Sequence, residues 1–298
     1  MWAGLGREGD SRRHSARCCD QSCRDTYGEE KEIFSHLLMV AQESRERVTN
    51  DMFELMPGRG QQLERGEWRV AVGGEETSAI FEPPSGSVDL ETVFVFAHGA
   101  GGNMNDRGVL QTANALRARG LGVVRFNFLY KEKKSSRPDP MPRLKETFSA
   151  VVARARAELD PRTLIIGGRS MGGRAGSMLA AEGFECSGLL LLAYPLHPPG
   201  KPDQLRDAHL PAINVPILCF NGTRDPFCTP SLMEEMVKRV KTDWEMHWVD
   251  GADHSFHVPK SLGRSDAEVL VDIADMSAAW VKRIKSGARE EVRGTRGT

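Results

Sequence analysis

The stretch Thr163 to Ala175, Thr-Leu-Ile-Ile-Gly-Gly-Arg-Ser-Met-Gly-Gly-Arg-Ala, constrains the fold more than any other part of the chain. Thr163 to Ile166 are apolar or β-branched, too few for a helix and followed by glycine, which suits a strand buried on both faces. From Met171 to Ala181 the residues are small and tolerant of helix. The local order is therefore strand, sharp turn, helix, with the Ser170 hydroxyl at the apex. A turn this tight strains the serine backbone, and side chains two residues before and after it would strike the neighbouring strand and helix. Gly168 and Gly172 remove those collisions. The competing reading is an ordinary glycine-rich turn that cradles phosphate, but the Lys-Ser/Thr ending of a P-loop is absent.

The rest of the chain supplies a matching alternation. Trp68 to Val72 and Ser78 to Phe81 read as a hairpin across Gly73-Gly74 at the sheet edge. Further strands are expected at Thr92 to Ala97, Gly122 to Phe128, Gly188 to Ala193, Pro216 to Asn221 and Trp244 to Val249. Helices are expected from Asn105 or Asp106 to Arg119, and over Leu144 to Leu159, Pro230 to Val240 and Asp266 to Ile284. Strands and helices alternating at this spacing predict an α/β protein with a mostly parallel sheet covered on both faces. The segment Tyr194 to Asn214 is too short for a large lid.

The predicted domain covers residues 63–285. Residues 1–62 read as an extension: a polar, partly disordered start and one amphipathic helix carrying Ile33, Phe34, Leu37, Leu38 and Ala41. Residues 286–298, rich in glycine and charge, read as a flexible tail.

A formal charge of −1 removes any global electrostatic case for nucleic acid or anionic membrane as a partner. No apolar run reaches the roughly 18 residues that a bilayer span needs. Met1 to Asp20 lacks the apolar core of a secretory signal, so the cytoplasm is the expected compartment. The six cysteines are then read as free thiols. Cys18, Cys19 and Cys23 have only His14 nearby and lack paired ligand spacing, so neither a metal nor a cofactor is expected.

Ligands of such a sheet bind at the carboxyl ends of its strands. Asp225, in Gly222-Thr223-Arg224-Asp225-Pro226, follows one strand, and His254, in Asp250-Gly251-Ala252-Asp253-His254-Ser255-Phe256, follows the last. His254 is assigned as general base and Asp225 as the acid that holds its tautomer. The order Ser170, Asp225, His254 is that of α/β-hydrolases. Asp250, Asp253 and His257 are the rivals, and an Asp-Pro turn is the bland reading of Asp225. The loop His98-Gly99-Ala100-Gly101-Gly102 offers Ala100 as an oxyanion donor beside Met171, the first residue of the elbow helix, with His98 shaping the loop through hydrogen bonds. Lys131, Lys133, Lys134 and Arg137 lie on a basic loop at the same edge, either a solvated surface or one that favours an anionic acyl group.

The blocks Phe96 to Met104, Val124 to Phe128, Gly167 to Arg174, Tyr194-Pro195-Leu196-His197 and Ala252 to Ser255 resemble the α/β-hydrolase-like family that includes the human testis-expressed protein thirty and a subunit of a histone-acetylating complex. The resemblance runs from about residue 64 to 285. Its wider superfamily contains dienelactone hydrolases and small carboxylesterases. It implies hydrolysis of an ester or related acyl bond of a small substrate, with a catalytically silent binding module as the alternative.

Overall fold

A computed structural model of the chain describes residues 64–85 and 90–294, with side chains described to residue 287. The described residues belong to one unit of the chain, Gln62–Thr298. The disorder, the amphipathic helix and the thiol cluster expected before residue 63 lie outside the described residues.

The hairpin pairs β1 (Gly66–Val72) with β2 (Glu75–Glu82) in antiparallel register, Val72 opposite Glu75. On the inner side β2 runs antiparallel to β4 (Gly122–Phe126). From there the sheet is parallel: β4, β3 (Thr92–Ala97), β5 (Thr163–Arg169), β6 (Gly188–Leu192), β7 (Ile217–Gly222) and β8 (Trp244–Val249). The eight strands form one sheet in the order β1-β2-β4-β3-β5-β6-β7-β8.

The parallel strands are apolar on both faces because helices cover both. Val93, Val95 and Ala97 of β3, Leu164 and Ile166 of β5, and Leu189 and Leu191 of β6 face one core. It is closed by α3 (Met141–Leu159), α4 (Met171–Ala181) and α5 (Pro230–Val237), through Phe148, Val152, Leu179 and Met233 among others. The alternate residues Phe94, Phe96, Ile165, Leu190 and Phe220 face the opposite core, closed by α1 (Arg107–Arg117) and α6 (Asp266–Gly294) through Leu116, Val269 and Trp280. A one-residue register slip in any central strand would exchange its two faces between these cores.

Several boundaries differ from the sequence reading by a few residues, β2 (Glu75–Glu82) and the end of α5 at Val237 among them, and three bear on the chain's course. β4 stops at Phe126, although the Asn127 N–H still continues its antiparallel register with β2 by donating to the Ser78 carbonyl at 3.0 Å, and a single helical turn, α2 (Leu129–Glu132), follows. α3 starts at Met141 with Pro142 in its first turn, where a missing N–H costs nothing. α6 continues through the segment read as loose, to Gly294. Ala288, Arg289, Glu290 and Glu291 are strong helix formers and outweigh Gly287. Among the described residues, no helix is long and apolar enough to cross a membrane.

Candidate active site

Ser170 stands between β5 and α4 at φ 50° and ψ −117°, a conformation costly for any side-chain-bearing residue. Its N–H donates to the Leu192 carbonyl of β6 at 2.9 Å, and its own carbonyl accepts the Arg174 N–H at 3.0 Å, so β6 and α4 hold it. A Cβ on residue 168 would lie 2.1 Å from the Ala97 carbonyl oxygen, and one on residue 172 would lie 2.4 Å from the same atom. Both elbow glycines thus answer to the end of β3, which pairs Ala97 with Gly168.

The carboxyl ends of β5, β7 and β8 carry Ser170, Asp225 and His254. β8 is three strands from β5, about 14 Å away, so the loop after β8 must cross back over the sheet edge. It does so over the end of β7: the Ala252 carbonyl lies 2.1 Å from where a Cβ on Gly222 would stand, and it accepts the Arg224 N–H at 2.9 Å. The crossing brings His254 Nε2 to 2.9 Å from Ser170 Oγ. His254 Nδ1 faces both Asp225 oxygens, at 2.9 and 2.8 Å. A carboxylate accepts and does not donate, so Nδ1 carries the ring proton and Nε2 is left to accept from the serine hydroxyl. The Asp225 side chain is fully buried while the His254 side chain is 22 % exposed, so the far end of this relay is dry and its near end opens to a ligand.

Asp225 is itself held by two groups. The Phe227 N–H donates to Oδ1 at 2.8 Å, and the buried Asn221 amide donates to Oδ2 at 3.2 Å. Asn221 also exchanges hydrogen bonds of 3.1 Å with the backbone of Tyr194 in both directions, joining the acid to the loop after β6. The Phe227 ring packs against the His254 imidazole with centroids 4.3 Å apart. Arg169, the residue before Ser170, donates from Nη2 to the His254 carbonyl at 3.0 Å. Burial lowers the Arg169 pKa, and the nearby Asp253, Asp106 and Asp225 oppose that pull.

The turn after β3 abuts the serine: a Cβ on Gly99 would sit 3.4 Å from Ser170 Cβ. Ala100 is exposed in this turn, which the Gly102 N–H closes onto the Gly99 carbonyl at 3.2 Å. Met171 opens α4, so its N–H has no carbonyl four residues back within the helix. His98 is buried beneath the turn, with Nδ1–H donating to the Gly99 carbonyl at 2.8 Å and Nε2 accepting the Phe128 N–H at 3.2 Å. Both nitrogens are committed in the neutral form, and burial brings the imidazole pKa down to about 4.

The rival residues are engaged elsewhere. Asp253 Oδ1 accepts the N–H groups of Ser255 and His257 within its own loop, at 2.7 and 3.0 Å. Asp250 accepts from Thr223 at 3.4 Å, and His257 pairs with Asp266 at 2.8 Å. On the basic loop, Lys133 forms an ion pair with Glu75 at 2.6 Å, and Lys131 reaches the Gly101 carbonyl at 3.4 Å. Arg169 and Asn221 had no signal in the sequence beyond their neighbourhood to Ser170 and Asp225. No group of residues suited to holding a metal ion occurs among the described residues.

A mainly parallel sheet covered on both faces, with a serine at a strained strand-to-helix elbow, defines the α/β-hydrolase fold. The chain belongs to the α/β hydrolase domain family, which it matches over residues 90–282. Solved structures share the fold. An α/β serine hydrolase homologue from Coxiella burnetii is 22% identical, covering 70% of this chain and 96% of its own, with a TM-score of 0.57. A member of the α/β serine hydrolases without a lid, from Xanthomonas campestris, is 21% identical over 76% of this chain and 97% of its own, with a TM-score of 0.58. Dienelactone hydrolase from Anabaena variabilis is 19% identical over 75% of this chain and 99% of its own, with a TM-score of 0.58.

Proposed function

We propose that the chain is a serine hydrolase that cleaves an ester or related acyl bond of a small substrate. The observation that carries this reading is the continuous relay from Ser170 Oγ through the His254 ring to Asp225. His254 Nε2 takes the hydroxyl proton as Ser170 Oγ attacks the acyl carbon, and Asp225 stabilises the imidazolium. The N–H groups of Met171 and Ala100 receive the oxyanion. The imidazolium then protonates the leaving alcohol, and water repeats the sequence on the acyl-enzyme to release the acid and restore the serine.

The segment between β6 and β7 supports an open pocket for a small substrate, because its described structure is loop with one 3₁₀ turn, Leu210–Ala212. Within the wider fold, the Gly167 to Arg174 and Tyr194 to His197 blocks favour kinship with the testis-expressed protein family named above. Free thiols at Cys186, Cys219 and Cys228 favour a reducing compartment, the cytoplasm.

The test is labelling with a fluorophosphonate probe, alongside a screen of p-nitrophenyl esters. Labelling and turnover should both vanish in Ser170→Ala, by about 10⁶ in rate on the subtilisin scale. Folded protein that neither labels nor turns over would instead support a silent binding module, and near-normal hydrolysis by Ser170→Ala would remove the serine from the reaction.

A further inference from the structure

The block Val124 to Phe128 takes no part in the relay, yet it carries a charge and an amide at the end of an otherwise apolar strand. Arg125 of β4 is only 2 % exposed. Its guanidinium pairs with Glu82 at 2.9 Å, and Nη1 donates to the Met104 carbonyl and, at 3.2 Å, to Asn105 Oδ1. Two residues further on, Asn127 Oδ1 accepts the Met104 N–H at 3.0 Å. Both backbone polar groups of one residue in the loop between β3 and α1 are thus bound by side chains from the end of β4. Asn127 is fixed in turn. Its Nδ2 donates to Glu132 Oε1 at 3.0 Å, an oxygen that also accepts the Ser78 N–H at 3.1 Å, and its carbonyl accepts the Thr77 hydroxyl at 2.6 Å.

The loop so gripped is the one that lies against Ser170, where a Cβ on Gly99 would be 3.4 Å from the Ser170 Cβ. Between His98 and Met104 it contains Gly99, Gly101 and Gly102, with Gly101 at φ 76°, and glycine backbone has the most freedom to lose on ordering. Its internal bonds are local: the Gly102 N–H closes onto Gly99, and Asp106 accepts the Asn103 N–H and amide at 2.8 and 2.6 Å. The end of β4 ties it to the sheet on both sides of the glycines, through the Phe128 N–H to the His98 ring at 3.2 Å and through Arg125 and Asn127 to Met104. A further contact, Lys131 Nζ to the Gly101 carbonyl, is exposed and long at 3.4 Å. A buried ion pair is a poor source of stability, and apolar residues of similar volume often serve as well. What Arg125 and Glu82 add beyond apolar packing is the grip on Met104.

We infer that Arg125 and Asn127 are positioning residues: by clamping Met104 they fix the glycine turn so that the Ala100 N–H meets the oxyanion formed at Ser170. A backbone donor must be held within about 0.5 Å of its working position to act. It meets full charge only in the transition state, so its misplacement lowers kcat and leaves KM nearly unchanged. The task given to Ala100 rests on the proposed hydrolase reading, whereas the clamp on the loop does not.

The test has one arm with turnover and one without. In the first, Asn127→Leu and Arg125→Met are compared with the wild-type protein on a p-nitrophenyl ester. Their kcat should fall by about 10- to 100-fold while KM stays within about twofold. Inhibition by a trifluoromethyl ketone, whose serine adduct carries the oxyanion, should weaken by the same factor as kcat/KM. The double variant Asn127→Asp with Glu132→Gln keeps an acceptor for the Met104 N–H and reverses the bond between the two side chains, so it should recover most of kcat. A loss confined to KM, or a lower Tm with kcat intact, makes the clamp merely structural and overturns the inference. In the second arm, hydrogen–deuterium exchange is followed by mass spectrometry in peptides spanning residues 98–106. Exchange there should quicken by about tenfold in Asn127→Leu, while peptides from β5 and β6 stay as protected as in the wild-type protein. Unchanged exchange in the loop overturns the clamp. If the wild-type protein turns over no ester while the variant's loop exchanges faster, the hydrolase reading fails and the clamp stands. Asn127→Leu, at a half-buried position, keeps both arms available should Arg125→Met, which leaves Glu82 without its nearest partner, fail to fold.

Discussion

Arg169 Nη2 donates to the backbone carbonyl of His254 at 3.0 Å, joining two residues 85 positions apart. The bond connects the strand that ends at Ser170 to the loop that carries His254. It adds a direct anchor to the His254 backbone beside the loop's own hydrogen bonds, and a displacement of about 1 Å at a reacting pair can cost 10²-fold.

Replacing Arg169 by Met is therefore expected to lower kcat by about 10- to 100-fold with little change in KM. Arg169→Lys should recover part of the loss, because it keeps the charge but not the fork. Steady-state kinetics on folded protein, checked by its melting profile, decides the matter. A lower Tm with normal kcat would make Arg169 merely structural.

Asp225→Asn should leave the fold in place, since the amide keeps an acceptor for the Phe227 N–H. It offers His254 the wrong partner for its tautomer, and kcat should fall by about 10⁴. Circular dichroism beside ester kinetics would check this, and a loss under tenfold would disqualify Asp225 as the third group.

Alanine at 168 or 172 should be poorly tolerated, because each new Cβ would lie within 2.4 Å of the Ala97 oxygen. Moving backbone to relieve such contacts costs about 1–3 kcal/mol or more, compounded at residue 168 by its φ of 143°. Urea unfolding of Gly172→Ala is the cleaner measurement, and a stability within 0.5 kcal/mol of the parent, roughly the range of surface substitutions, would contradict the assigned contact.

His98 predicts a dependence on pH. Its folded pKa, about 4, lies below the ordinary 6.5, so the unfolded chain binds the extra proton first. Its contribution is complete above pH 6.5 and is lost as the pH falls toward 4, amounting to about 3 kcal/mol at most. Urea midpoints at pH 7.5, 5.5 and 4.5 should fall in that order, and His98→Gln should flatten the decline. An equal decline in that variant would assign the acid sensitivity elsewhere, with His209 the next candidate.

The periodicities that a chain shows locally were sufficient for most of the architecture. Thr92 to Ala97 and Trp244 to Val249 were legible to the residue, since a short apolar run between breakers has few alternatives to a buried strand. The elbow was legible for the same kind of reason, because glycine, serine and glycine at that spacing answer to sterics within a few residues. Boundaries were less so: β4 ends at Phe126 and Leu129–Glu132 form a helical turn, where the apolar run to Phe128 reads as strand throughout.

What the amino-acid order determined by itself was a set of strands and helices and three chemically apt residues after three of the strands. Only the tertiary structure decided that the loop after β8 passes over Gly222 to set His254 between Ser170 and Asp225, and that Arg169 and Asn221 hold that arrangement. The physical reason is range. Strand period and turn sterics act over a handful of residues, whereas ion pairing and loop crossing depend on which distant segments the sheet order brings side by side.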